Sequence, residues 1–341
     1  VIGAIIFRGI FVTIGTGLLM LGPWVELVFA AIVGWTAVMI ISGGRAANEL
    51  GVALFGFDSI NTWAIAIGIF IGLWIWLGKV GFQKLNVVAV VLLFVLTLIL
   101  CGVVFKEGNI LLSAPTDEMS FGAALELSII MPLSWLPLIS DYTRFAKSRK
   151  SGLVGSFMGY FIGSSLMYAI GLAIALYAKD ASVGSMMMTL NLGFAALGIV
   201  LLSTITTTFL DAYSAGVTFT NIFPQMSERK IAFAMAIIGL LVAIFTPIEQ
   251  YETFLYAIGS VFGPLFAILL SDYFIFKKEQ IEPSLSLHIG ALIVWAIGVG
   301  LYYWFMTFDL PLGSTLPTML ATSMIFIITK KVMATWTFKI N

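Results

Sequence analysis

Charge is scarce in this chain. Its 341 residues carry 17 lysines and arginines against 17 aspartates and glutamates, together 10% of the sequence, while 60% are hydrophobic. A soluble domain of this length needs far more charged side chains to cover its surface. Cysteine is limited to Cys101 and histidine to His288, which excludes an internal disulfide and any Cys/His cluster with metal-ligand spacing. His288 opens a late apolar run and reads as an interfacial residue, with proton coupling as its other available role. No basic block stands apart, so nucleic acid is not expected as a partner. There is no nucleophile–base pair, phosphate loop or HExxH-like motif, so no enzyme chemistry and no organic cofactor are expected.

What is present is apolar sequence in repeated lengths of 18 residues or more, each enough to span a bilayer. Lipid offers backbone amides no partners, so such runs must be helices, and the fold class is all-α and polytopic. Ten spans are predicted, near 24–43, 57–78, 84–105, 120–140, 152–178, 193–216, 230–247, 251–276, 285–306 and 313–333. A further apolar stretch, 1–21, carries Arg8. Val1 begins inside that stretch with neither an initiator Met nor a basic n-region, so the chain is expected to be cut into rather than begun. Residues 1–341 read as a single transmembrane domain, since every loop is short.

The loops set orientation. Thirteen basic residues, from Lys79 and Lys84 through Arg144–Lys150 to Lys330, Lys331 and Lys339, fall on one side of this span pattern. Arg45, Lys106 and Lys179 fall on the other, among acidic residues such as Glu49, Asp58, Glu107 and Asp117. The basic side is expected to be cytoplasmic, with the C-terminus there and the protein in the cell membrane.

Three places break the apolar pattern. Span 120–140 contains Pro132 and Pro137 around Ser134 and Trp135. Each proline removes an amide donor and clashes with the preceding turn, so the helix is either kinked in packing or interrupted to bind solute. Span 193–216 carries Ser203, Thr206, Thr207, Thr208 and Asp211. Ser203, Thr207 and Asp211 share one stripe with Thr206 beside it, so several hard oxygens can face one small cation, or the hydroxyls can bond their own carbonyls. A carboxylate in a span is costly without a cavity or partner, which singles out Asp211. The third place is Trp35, a packing residue unless it joins Trp135 in sandwiching a flat ring. Glu126 also lies within a span, facing an entrance cavity or pairing with Arg45. Asp141 and Arg144, three apart, are expected to pair locally or to cap the loop.

With these residues in view, the sequence resembles the nucleobase:cation symporter-1 family. Met131-Pro-Leu-Ser134-Trp135-Leu-Pro137-Leu-Ile-Ser-Asp141-Tyr-Thr-Arg144-Phe145 is similar to that family's sixth-helix segment. Gly34-Trp35-Thr36 looks like its third helix, Ser203 to Gly216 its eighth, and Gly263-Pro264 to Phe274 its tenth. The wording is nearest the hydroxymethylpyrimidine branch, a thiamine-precursor transporter. The resemblance implies a leucine-transporter-like five-plus-five inverted repeat with two added C-terminal helices. Residues 24–333 would be helices three to twelve, 1–21 a remnant around the second, and the first helix would be missing. It further implies solute contacts from Trp35, Ser134 and Trp135, and a sodium site at Ser203, Thr206 and Thr207. Beside these, Thr208 and Asp211 are expected to contact the solute, Asp211 as the acceptor from an exocyclic amine. Ile32 stands where nucleobase-selective relatives frequently carry glutamine.

The resulting expectation is a secondary transporter, a cation symporter importing a planar heterocycle such as hydroxymethylpyrimidine or a related pyrimidine. The coupling ion would be sodium, or a proton. Two other classes remain open: a channel, which needs a continuous polar pore, and a truncated, non-transporting membrane protein of the same fold.

Overall fold

The computed structural model describes residues 23–104, 119–139, 143, 146–178, 193–222, 224–245, 251–277 and 289–333. The Asp141–Arg144 pair, Arg8 and His288 lie outside them. Among the described residues there are nine α-helices and no strand. They are α1 (Pro23–Phe55), α2 (Ile60–Val104), α3 (Phe121–Trp135), α4 (Arg149–Ala178), α5 (Gly193–Ile222), α6 (Glu228–Phe245), α7 (Tyr251–Leu270), α8 (Ile289–Phe305) and α9 (Thr315–Met333). A 3₁₀ turn, Leu136–Leu138, follows α3, and a π-helical turn, Ser271–Ile275, follows α7. Five of the described segments are long and apolar enough to cross a membrane, beside the shorter apolar α8.

The helices form two compact units. The first holds α1 from Phe29, α2, α4, α5 and α6. Its core is an aliphatic seam in which α2 supplies Ala64, Ile67, Ile71 and Ile75 at spacings of three and four. α1 adds Val33, Ala37, Ile40 and Ile41, and α5 adds Ile205, Phe209 and Ala212. Small residues let these helices close up: Gly239 of α6 lies directly under Thr36, and Gly43 of α1 directly under Thr204. The α1–α2 turn is tied by Asn48, whose Nδ2 donates to Asp58 Oδ1 (2.8 Å) and whose Oδ1 accepts from Ser59 N (2.7 Å).

The second unit is built from α3, α7, α8 and α9. α7 is its centre, packing on each of the other three. At its far end Lys330 of α9 pairs with Asp272 in the π-helical turn, and its ammonium also lies 4.3 Å from the Phe276 ring centre.

Two expectations need correction. α1 continues to Phe55, so Arg45 and Glu49 are on a helix and not in a loop. Residues 79–84 do not turn: Ile60–Val104 is one helix of 45 residues. No proline interrupts it, and Gly78 and Gly81 each weaken a helix by only about 1 kcal/mol without ending it. At 1.5 Å per residue α2 is about 68 Å long, roughly twice a hydrocarbon core. Its first half is buried at every third or fourth position, whereas Val87, Val91, Phe94 and Leu98 of the second half are exposed. Spin labels at the exposed Ile65 and Leu98 should therefore lie about 50 Å apart. A separation near 10 Å, the distance between packed antiparallel helices, would restore the turn at 79–84.

Candidate functional site

Most of the expected binding residues fall on α5, in the first unit. The helix is apolar over its first ten residues and hydroxyl-rich in the middle, and the middle is where Thr204 meets α1. Thr204 sits against Gly43, and Thr208 and Asp211, four and seven residues on, continue the same face. Thr208 is fully buried and Asp211 is 4% exposed. No hydrogen bond or ion pair to Asp211 occurs among the described residues.

The hydroxyls take up one of their alternatives without losing the other. Ser203 Oγ donates to Val200 O (2.9 Å), and Thr206 Oγ1 to Leu202 O (2.9 Å) and Ser203 O (3.0 Å). Thr208 Oγ1 donates to Thr204 O (2.7 Å). A hydroxyl has one proton and two lone pairs, so each donating oxygen still offers electron pairs to a cation or a solute N–H. Thr207 is half-buried. Trp35 lies on α1 of the same unit, 7% exposed, next to Thr36, whose Oγ1 donates to Ile32 O (2.9 Å).

Ser134 and Trp135 are in the second unit. Pro132 stands inside α3, the α-helix ends at Trp135, and the chain tightens into the 3₁₀ turn that contains Pro137. Ser134 is buried and its Oγ donates to Met131 O (2.6 Å), while Trp135 is half-buried.

Glu126 is the residue whose role the sequence reading missed. Its four donors all come from its own unit, so neither an entrance cavity nor Arg45 is needed to account for it. Its carboxylate sits at the start of α9, where Oε2 accepts from Ser314 N (2.8 Å) and Thr315 N (2.7 Å). Oε1 accepts from Thr315 Oγ1 (2.6 Å) and from Tyr302 OH of α8 (2.6 Å). The first amides of a helix lack partners within it, and a carboxylate there also meets the positive end of the helix dipole. Pro317, in that same first turn, removes another amide that would need a partner. Gly313 has φ +67°, and a Cβ there would come 2.5 Å from Glu126 Oε2. The available signal was Gly313-Ser314-Thr315-x-Pro317, a helix-start pattern at the end of the α8–α9 connection.

Comparison with known proteins yields three kinds of match. The family described as permeases for cytosine/purines, uracil, thiamine and allantoin matches residues 14–322. The cytosine permease of Escherichia coli (strain K12) is 24% identical over 194 residues, covering 56% of this chain and 46% of that protein. A 50-residue stretch is 66% identical to the tellurium resistance protein TerC of Alcaligenes sp, covering 15% of this chain and 14% of that one. The chain thus spans about half the length of the curated permease it matches. Among solved structures, Mhp1 in its inward-facing conformation aligns with a TM-score of 0.71 at 16% identity, over 93% of this chain and 76% of that chain. Mhp1, a nucleobase-cation-symport-1 family transporter, in a closed conformation with bromovinylhydantoin bound, aligns at 0.67 and 18%, over 96% and 78%. The fold is that of these leucine-transporter-like proteins.

The Glu126 centre can be tested by stability. Gly313→Ala forces a side chain into a left-handed conformation and against the carboxylate, at a cost of about 1–3 kcal/mol. Tyr302→Phe removes one donor to a buried acceptor, at about 1–3 kcal/mol. Thermal unfolding of the solubilised protein should show both as lowered midpoints. An unchanged midpoint for both would separate the carboxylate from α9.

Proposed function

The chain belongs to the family of permeases for cytosine/purines, uracil, thiamine and allantoin, and on that premise we propose that it is a cation-coupled importer of a small planar heterocycle. It is a multi-pass membrane protein. The solute we assign is hydroxymethylpyrimidine or a closely related pyrimidine, on the wording of residues 131–145 and 33–40. The observation that carries the reading is the middle of α5: buried Thr204, Thr206 and Thr208 hydroxyls and the buried Asp211 carboxylate within two turns of one apolar-rich helix. Polar groups inside a span are costly and mark the path of a solute or ion.

In this reading Ser203, Thr206 and Thr207 hold sodium through hydroxyl oxygens. Neutral hard oxygens bind a hard cation weakly enough to release it in each cycle. Trp35 and Trp135 each offer an indole face to the ring, Ser134 and Thr208 offer hydroxyl oxygens, and Asp211 accepts from an exocyclic amine. Few placed polar groups on an otherwise apolar lining suit a flat, neutral ligand. The clustering at one depth favours a carrier over a channel.

Uptake of labelled hydroxymethylpyrimidine, cytosine and uracil into vesicles tests the solute assignment. Trp35→Ala should weaken binding about 10- to 100-fold, since stacking of a base on an aromatic ring is worth roughly 1–3 kcal/mol. Trp304→Ala, at an exposed position, should leave it unchanged. Equal effects would reduce Trp35 to packing. Asp211→Asn should weaken amino-bearing rings more than keto analogues, and an unaltered preference would remove Asp211 from the solute.

Coupling is tested on the same helix. Thr206→Ala and Thr207→Ala should each raise the sodium concentration for half-maximal uptake about tenfold, the equivalent of roughly 1.4 kcal/mol in one ligand. By linkage, solute should tighten sodium by the factor with which sodium tightens solute. Uptake that ignores sodium and follows a pH gradient would make the hydroxyl cluster structural.

A further inference from the structure

We propose that Glu126 is a positioning residue for the solute-facing end of α3, acting through Trp135. The inference rests on the reading of Trp135 as a solute contact. Glu126, Ile130, Leu133 and Ser134 are buried and fall at i, i+4, i+7 and i+8, so they form one stripe along α3. That stripe faces α7 and α8. A Cβ on Gly259 of α7 would lie 2.9 Å from Ile130 Cδ1 and 2.8 Å from Tyr302 OH, so the glycine makes room for both side chains. Gly122, one turn before Glu126, lies directly under the carbonyl of Leu310 in the α8–α9 connection.

Glu126 therefore fixes two coordinates of α3. Its bonds to the start of α9 set the height of the helix along its axis. Its bond to Tyr302 sets its rotation about that axis. Both oxygens are occupied by four donors, which suits a clamp rather than a group that meets a cation or a solute. Trp135 follows Ser134 by 100° around the helix and so points off the stripe. The direction of its indole is set by the rotation of α3. Binding geometry has to be held within about 0.5 Å and 10–20°, and a small roll of the helix exceeds that at the tip of a tryptophan. Pro132 makes the clamp more important, because it removes one backbone bond between Glu126 and Trp135.

The test is uptake by the intact protein in vesicles at saturating sodium, using whichever of hydroxymethylpyrimidine, cytosine and uracil it takes best. Glu126→Gln keeps the size but replaces one acceptor with a donor facing donors. It should raise the half-saturating solute concentration about tenfold and leave the maximal rate per folded molecule within about twofold. Tyr302→Phe and Thr315→Val, milder changes in the same network, should each raise it about threefold and serve where Glu126→Gln does not fold. The decisive arm is Trp135→Ala. If Glu126 acts through Trp135, Glu126→Gln should add less than twofold to the loss already caused by Trp135→Ala. A full tenfold addition, or a fall in maximal rate at unchanged half-saturation, would overturn the positioning role while leaving the solute reading intact. A silent Trp135→Ala would overturn the solute reading and the inference with it.

Discussion

A carboxylate enclosed by apolar helices has to be met by donors, and in the second unit that requirement fixes how four helices assemble. Glu126 collects two backbone amides, a threonine hydroxyl and a tyrosine hydroxyl from residues 176 to 189 positions away in the sequence. Truncating a side-chain donor leaves a buried, charged oxygen one partner short, which costs more than a typical hydrogen bond contributes. The surrounding residues are accommodations to this one group: Gly313 in a left-handed conformation, Gly122 beneath Leu310, and Gly259 beneath Tyr302. The opposite end of α9 has its own electrostatic anchor in the Lys330–Asp272 pair.

The first unit is organised differently. Its core is aliphatic, and its helices approach through glycines set against threonines: Gly43 with Thr204, and Gly239 with Thr36. Within lipid no hydrophobic force drives helices together, so close backbone contact and dispersion hold them. The polar middle of α5 is embedded in this contact. Its Thr204 face is fixed by α1, so the orientation of the neighbouring hydroxyls is a consequence of packing.

How far the sequence foretold this depends on the range of the interaction. Helical class, most helix positions and the α5 stripe were legible because they rest on local periodicity: Ser203, Thr207 and Asp211 are four apart in any α-helix. The end of α3 near Trp135 was legible too, since Pro132 and Pro137 act on adjacent turns. The turn expected at 79–84 failed because Lys79 and Lys84 were read as loop markers, yet lysine and glutamine are good helix formers and no proline stops the helix. Glu126 failed for the opposite reason. Nothing within a few residues of it hints at Tyr302 or Thr315, and a lone acidic residue in a span is compatible with several partners.

The hydrogen bonds on α5 bear on the choice between packing and function for the hydroxyl stripe. Ser203, Thr206 and Thr208 donate to their own helix, which on its face is the structural use of such residues. Yet donation consumes the proton and leaves the lone pairs, and it also locks the torsion that aims them. A cation ligand needs electron pairs already oriented and no proton in the way. A free hydroxyl would have to reorient at an entropic cost each time an ion arrived. Self-bonded hydroxyls on one helical face are therefore better prepared for the proposed sodium role than unbonded ones. The same bonds that allow this stripe to exist in an apolar span are the ones that would preorganise it.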